Sequence, residues 1–299
     1  MTPSTSLAAR GPMIGIALAV AAVFMFSISD VVGKILFEDN PVSVIVALRY
    51  AISLAMIFAI SFPTVGARLW QTKRTGLVLA RGMSLAVCSI AMGYAFRFMP
   101  VGETVAIVHI APFIVVLLAG PLLGENVRPI HWIGASLGFA GVLLIVRPGV
   151  GLATIGVMFA MITAGFSVFY HLFSRVLART ETAIAMLFFT NVVGAVVFIL
   201  PALLEWQAFA PTTQTVMFIV LLGMSATSGH YFFTLAYRFA PASLLAPMQY
   251  VHLVFATIMG WGVFGHLPDV ISMFGMMLII CGGVAVALHT QFKRNSPAE

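Results

Sequence analysis

The chain has 299 residues, of which 61% are hydrophobic and 8% charged, with a mean hydropathy of +1.09. No soluble domain buries that much apolar surface, whereas a lipid-covered bundle does. The net charge of +6 fits inner loops beside anionic lipid and gives no nucleic-acid signature.

A spanning helix takes about 20 apolar residues, so this length holds about ten spans joined by short loops. Charged and turn residues set them at about 13–36, 42–62, 76–96, 102–123, 131–147, 153–174, 183–204, 213–236, 243–264 and 270–289. The runs are continuous rather than alternating, which predicts helices and not barrel strands. The N-terminal MTPSTSLAARGP carries no separate cleavable signal, and the first apolar run is itself long enough to span. If the N-terminus is cytoplasmic, the inner ends and loops carry Arg10, Arg68, Lys73, Arg74, Arg128, Arg175, Arg179, Arg238, Lys293 and Arg294, against Arg97 and Arg147 outside. That bias puts both termini in the cytoplasm, in the inner membrane of a bacterium.

The chain also repeats. At an offset of 141, Ala95, Arg97, Phe98 and Pro100 meet Ala236, Arg238, Phe239 and Pro241. Without a gap, Gly124, Ile130, Gly134, Leu137 and Gly141 then meet Gly265, Ile271, Gly275, Leu278 and Gly282. An Arg-aromatic-x-Pro corner and glycines at helical spacing recur where backbone geometry dictates residue type. The expected fold is therefore all-α, ten transmembrane helices in two five-helix units, 1–149 and 150–299. Five is odd, so the second unit enters the membrane from the opposite side, an inverted-topology repeat suited to alternating access.

Ionisable groups inside a span are costly, about 2.5–3.5 kcal/mol each at the centre, and each one needs a reason. Asp30 and Lys34 are four apart on helix 1, either a mutual ion pair with Lys34 snorkelling or a substrate or proton site. Asp30 is also the repeat mate of His171, so the two suggest a two-sided proton relay. Arg49 lies deep in helix 2, facing Asp30, an aqueous cavity or an anionic cargo group. Arg81, shallower in helix 3, reads as an interface anchor. In helix 4, Pro112 frees a carbonyl near His109. Helix 9 is expected to repeat the break at Pro247, with Gln249 and His252 on one face and Tyr250 as the mate of His109. Two broken, polar-bearing helices in corresponding places mark a transporter site; packed, hydrogen-bonded histidines are the alternative. Thr227, His230, Tyr231 and Thr234 form one stripe on helix 8, lining a cavity or bonding a neighbour. Asn191 reads as an interhelical contact. Tyr94 and Tyr170 offer rings for planar cargo or for core packing. Gly134-x-x-x-Gly138 permits close helix approach, within the unit or in a homodimer.

Leu123-Gly124-Glu125, Pro112 with the apolar residues after it, and Gly134, Gly138 and Gly141 in the next helix resemble the EamA domain of the drug/metabolite transporter superfamily. Phe169-Tyr170 through Ser174-Arg175 resembles the exit of that family's sixth helix. The likeness covers nearly the whole chain as two tandem domains, except that His266 stands where the first copy has Glu125. It implies ten helices, a central cavity lined by helices 1–4 and 6–9, helices 5 and 10 as scaffold, and cargo ranging from amino acids to metallophores and vitamins.

The expected function is a secondary carrier of a small organic metabolite. Aromatic, sparsely charged cavity candidates favour an amphipathic planar cargo such as a riboflavin-like vitamin, with amino acids, metallophores or drugs as alternatives. Nothing asks for a cofactor or metal: there is no GxxxxGK loop, no CxxC, and the histidines show neither HxxxH nor HExxH. An intramembrane enzyme would need paired carboxylates or a Ser–His arrangement at matched depth. A non-transporting assembly subunit would have no use for the inverted symmetry.

Overall fold

A computed structural model describes residues 4–123, 129–147, 151–177, 180–239 and 242–295. Among these, the helices are α1 (Ser4–Asp39), α2 (Val42–Val65), α3 (Thr75–Phe98), α4 (Val101–Val108), α5 (Ala111–Leu123), α6 (Pro129–Val146), α7 (Thr154–Leu177), α8 (Ala183–Leu204), α9 (Thr213–Phe239), α10 (Ala242–Phe264) and α11 (Val270–Asn295). Short 3-10 turns follow α2 and α8. Six stretches are long and apolar enough to cross a membrane: Met13–Asp39, Val42–Trp70, Thr75–Phe98, Thr154–Ser174, Ala183–Leu204 and Thr213–Phe233. Four shorter apolar helical stretches accompany them, Val101–Val115, Trp132–Val146, Met248–Phe264 and Val270–Ala285. This is a multi-pass, all-helical membrane protein. In hydrocarbon each backbone N–H and C=O must be satisfied internally, and helices do so within one segment.

Proline and glycine set the helix ends. Pro41 and Pro100 immediately precede α2 and α4, and Pro129 opens α6, positions where a missing N–H costs nothing. Gly66 and Gly265 end α2 and α10 with φ of +53° and +68°, a left-handed backbone that only glycine adopts without strain. The expected fourth span is two helices. Pro112 has no N–H for the carbonyl of Val108, so the chain tightens through His109 and Ile110, with Ile110 N–H on the Ile107 carbonyl at 3.2 Å. The break expected at Pro247 does not occur: α10 runs uninterrupted from Ala242 to Phe264. Pro247 falls near the helix start, where the end of the helix can yield to its ring, whereas Pro112 sits mid-span.

The principal packed pairs are α1 with α9, α3 with α7, α2 with α8, and α6 with α11, while α10 lies against α1, α4 and α11. The main core joins residues from nearly all of these, including Ile45, Tyr50, Ile107, Ile145, Leu253 and Ile279. On α6 and α11, Trp132, Phe139, Val270, Phe274 and Met277 are exposed, as a lipid-facing surface requires. Their facing sides carry glycines. A Cβ on Gly141 would stand 2.4 Å from the Gly275 carbonyl oxygen, and one on Gly282 would stand 3.0 Å from that of Gly134. Contacts 134–282 and 141–275 ascend on one helix and descend on the other, so α6 and α11 are antiparallel. Gly138 abuts the Phe113 ring instead. The glycine motif thus serves contacts within the chain. Gly124, Glu125, Pro148, Gly149 and Pro241 lie outside the described residues.

Candidate functional site

A cavity of about 200 Å³ opens between α1, α2, α3, α7 and α9. Asp30 and Arg49 both line it, with Ser29, Ser89, Thr163 and Ser167. Arg49 reaches it from two turns into α2 and donates through Nη2 to Ser89 Oγ at 2.7 Å. Ser89 gives its own proton to the Leu85 carbonyl, 2.8 Å away, and so accepts from the Tyr50 hydroxyl as well, also at 2.8 Å. The guanidinium lies 4.4 Å from the Tyr50 ring centroid. It is held in place without a bonded carboxylate.

Asp30 pairs with neither Lys34 nor Arg49. Its Oδ2 lies 2.9 Å from His252 Nε2 on α10, close but outside hydrogen-bond alignment, and neither atom has another partner. Lys34, one turn further along α1, donates instead to the Phe96 carbonyl at 2.8 Å and to Glu38 at 2.9 Å. The expected Asp30–Lys34 pair does not form because Lys34 is taken up by the Phe96 carbonyl and Glu38 while Asp30 turns toward His252, and Lys34 is held by the protein rather than snorkelling. His109 sits at the helix break with Nδ1 2.7 Å from the Val105 carbonyl and Nε2 3.0 Å from the Gln249 carbonyl. Its ring centroid is 5.5 Å from that of His252 and 6.1 Å from that of Tyr250. Asp30, His252 and His109 thus form a line from the cavity into the α4–α10 contact. Gln249 joins it through its backbone. Tyr250 is buried against Phe113 and Gly283, a packing role. The side chain of Pro247 lies outside the described residues.

Arg81 differs from its expected place at the interface. It is 5% exposed and donates to Ser174 Oγ (2.7 Å), Tyr170 OH (2.7 Å), Thr190 Oγ1 (2.6 Å) and the Met186 carbonyl (3.1 Å), with its guanidinium 4.4 Å from the Tyr170 ring centroid. It ties α3 to α7 and α8. Tyr170 is thereby committed to the protein, as is Tyr94, stacked on Phe159 at 5.0 Å. His171 stands beside Tyr170 and within electrostatic reach of Arg81; no contact joins it to Asp30. The helix stripe at 227–234 splits. Thr227 bonds Ser53 at 2.8 Å, His230 meets Phe26 edge-on at 4.9 Å, and Tyr231 points away, 46% exposed. The side chain of Thr234 is outside the described residues. Asn191 donates to the Leu187 carbonyl of its own helix at 2.8 Å rather than to a neighbour.

A second cavity, about 250 Å³, lies between the α3–α4 corner and the end of α10. Here sequence reading missed Glu103, almost fully buried, whose Oε1 is 3.0 Å from His266 Nε2. An acidic residue in the first turn of a predicted membrane helix was the available signal. Nearby, Arg147 pairs with Asp269. Asp269 also accepts from the Ser272 N–H at 2.7 Å, and that donation first, with Arg147 beside it, holds its carboxyl below the usual carboxylate range.

The sequence model of the EamA-like transporter family matches the chain twice, at residues 13–147 and 154–288. The chain is 28% identical over 281 residues to the pseudopaline exporter CntI of Pseudomonas aeruginosa, covering 91% of this chain and 95% of that protein. It is 28% identical over 244 residues to a riboflavin transporter of Brucella anthropi, covering 80% and 85%. It is 22% identical over 268 residues to an S-adenosylmethionine uptake transporter of Rickettsia prowazekii, covering 89% and 90%. One solved crystal structure aligns with a TM-score of 0.68 at 20% identity, over 96% of this chain and 99% of that one, which bears on the fold alone. With both halves matched and the helices arranged as described, the chain belongs to the EamA-like transporter family.

Proposed function

We propose that this protein is a secondary transporter that moves a small organic metabolite across the bacterial cytoplasmic membrane by alternating access. Its ten transmembrane helices form two inverted five-helix units, 1–149 and 150–299, with both termini cytoplasmic. The α6–α11 contact carries the reading. Gly134 and Gly141 are the repeat mates of Gly275 and Gly282, and they meet crosswise, 134 with 282 and 141 with 275. Two equivalent helices packed antiparallel about a pseudo-two-fold axis are what inversion requires. The other elements support it. Val42, Val101 and Pro129 begin α2, α4 and α6, and Ala183, Ala242 and Val270, each 141 further on, begin α8, α10 and α11. The pair α1–α9 has its counterpart in α7–α3. Contacts also sort by face. Ser43–Glu205, Glu103–His266 and Arg147–Asp269 fall at the ends assigned outside, and Lys73 and Arg74 backbone N–H groups meet Glu181 at the ends assigned inside.

The cavity holding Asp30 and Arg49 is the cargo site in this reading, with the Asp30–His252–His109 line as the proton-responsive element beside it. At about 200 Å³ it is below the usual range for drug-sized ligands, roughly 300–1,000 Å³, so it takes an amino-acid-sized molecule as it stands and a flavin only after widening. The test is uptake from a bacterial small-molecule extract into sealed vesicles containing the purified protein, read by mass spectrometry. A solute retained over protein-free vesicles supports transport; identical contents in both refutes it.

A further inference from the structure

We infer that the cargo carries a carboxylate and that the Arg49 guanidinium binds it. This rests on the transport reading above and names the chemistry of the same cavity. Arg49 has five N–H donors. One is used, on Ser89, and none meets a carboxylate. A guanidinium inside a membrane protein retains its charge, so a cation left with unspent donors beside a cavity is costly unless an anion visits. Lys34 has Glu38. The Arg81 donors are spread over hydroxyls and a carbonyl on α7 and α8. Of these three cations within the spans, Arg49 is the one that lines this cavity with donors unspent.

The surroundings suit that role. Ser89 is fixed by the Leu85 carbonyl and the Tyr50 hydroxyl, and the Tyr50 ring backs the guanidinium, so its plane is set before cargo arrives. A planar fork aimed in advance matches a carboxylate with two parallel hydrogen bonds. The hydroxyls of Ser29 and Ser167 line the same space and are neutral donors for it, whereas Thr163, also on the wall, gives its proton to the Phe159 carbonyl at 2.9 Å. Arg81, buried and without a counter-ion, raises the positive potential on the cytoplasmic side, where His230 lies within electrostatic reach of both arginines. The one acid of the cavity, Asp30, has an oxygen turned to His252. It makes no ion pair with Arg49 and stands on the same wall as a partner for a cargo amine.

The experiment uses the full chain in detergent and reads thermal unfolding. The probes are 3-phenylpropionate, phenylalanine, succinate and glutamate, each beside its amide. At least one acid is expected to raise Tm while its amide does not, with apparent affinity at least tenfold weaker in Arg49→Gln and partly restored in Arg49→Lys. Equal shifts from acid and amide, an unchanged acid shift in Arg49→Gln, or no shift from any acid would overturn the inference. If Arg49→Gln elutes aggregated, Ser89→Ala decides: it keeps the charge but loosens its aim, so weaker acid binding supports the role and unchanged binding overturns it. Asp30→Asn separates the two kinds of acid, since loss of a preference for phenylalanine over 3-phenylpropionate identifies an amphoteric cargo. Acid binding without vesicle uptake would leave the site standing and remove transport. Uptake of a neutral solute unaffected by Arg49→Gln would do the reverse.

Discussion

Arg81 spends four hydrogen bonds where one carboxylate would have served, and the difference shapes what its loss would do. Removing it leaves Ser174 and Tyr170 on α7 and Thr190 on α8 without their common donor. Interhelical hydrogen bonds in membranes are worth about 0.6 kcal/mol each, while stranding buried partners adds about 1–3 kcal/mol. Arg81→Ala should therefore destabilise the protein by about 2–4 kcal/mol, measured by unfolding in mixed micelles; a change within error would deny it the role of a tie. Asp30 behaves differently, because its contact with His252 crosses from one unit to the other. Asp30→Asn and His252→Ala should each lower uptake about tenfold, equivalent to about 1.4 kcal/mol, at unchanged expression and elution volume. Wild-type uptake in both would sever this pair from transport. The spacing of Asp30 and Lys34 was readable in the sequence, but their partners were not. Glu38 competes for Lys34 at the same helical spacing, and His252 arrives only through the packing of α10 on α1.

At the scale of the element, helix ends and crossings follow from local chemistry. Asp269 caps α11 through the Ser272 N–H, and its carboxyl is held below the ordinary range by that bond and by Arg147. A lowered folded-state value means that its contribution is present above the ordinary carboxylate range and is lost as pH falls through the lowered value. Asp269→Ala should lower stability at neutral pH and flatten the acid limb of a stability–pH curve, whereas Asp269→Asn keeps most of the cap. Equal curves for Asp269→Ala and wild type would refute the cap. Gly275→Leu places a side chain where a Cβ already stands 2.6 Å from the Gly141 carbonyl oxygen. It should part α6 from α11 and lower stability by about 1–3 kcal/mol, read from the same micelle unfolding; an unshifted midpoint would mean that the helices do not meet there. The break at Pro112 could be read from the sequence because a mid-span proline deprives a carbonyl of its donor. Pro247 misled because the same residue near a helix start is tolerated. The outward turn of Tyr231 escaped a stripe read only as spacing, since a residue one step from His230 projects about 100° away.

For the molecule as a whole, the offset of 141 residues is the most informative quantity in the sequence. It relates α2 to α8, α4 to α10 and α6 to α11, and it brings mates together: His109 lies beside Tyr250, and the glycines of α6 meet those of α11. What the offset could not supply was the asymmetry. Among the described residues the break between α4 and α5 has no counterpart in α10, and the repeat mates of Arg49 and Arg81 are the uncharged Thr190 and Leu222. Glu103 was legible as an acid at the start of a span, but its pairing with His266 was not, because the contact joins residues 163 apart in the two matched halves of the chain. If the units rock about the central cavity, outer contacts open while inner ones close. The decisive measurement is the distance between spin labels in two pairs, Arg97→Cys with Leu267→Cys at the outer face and Gln71→Cys with Phe239→Cys at the inner face, with Cys88 and Cys281 replaced. Alternating access predicts two populations at each pair in lipid, the outer distance lengthening as the inner one shortens when pH or a bound solute is changed. One fixed distance at both pairs under every condition would contradict it.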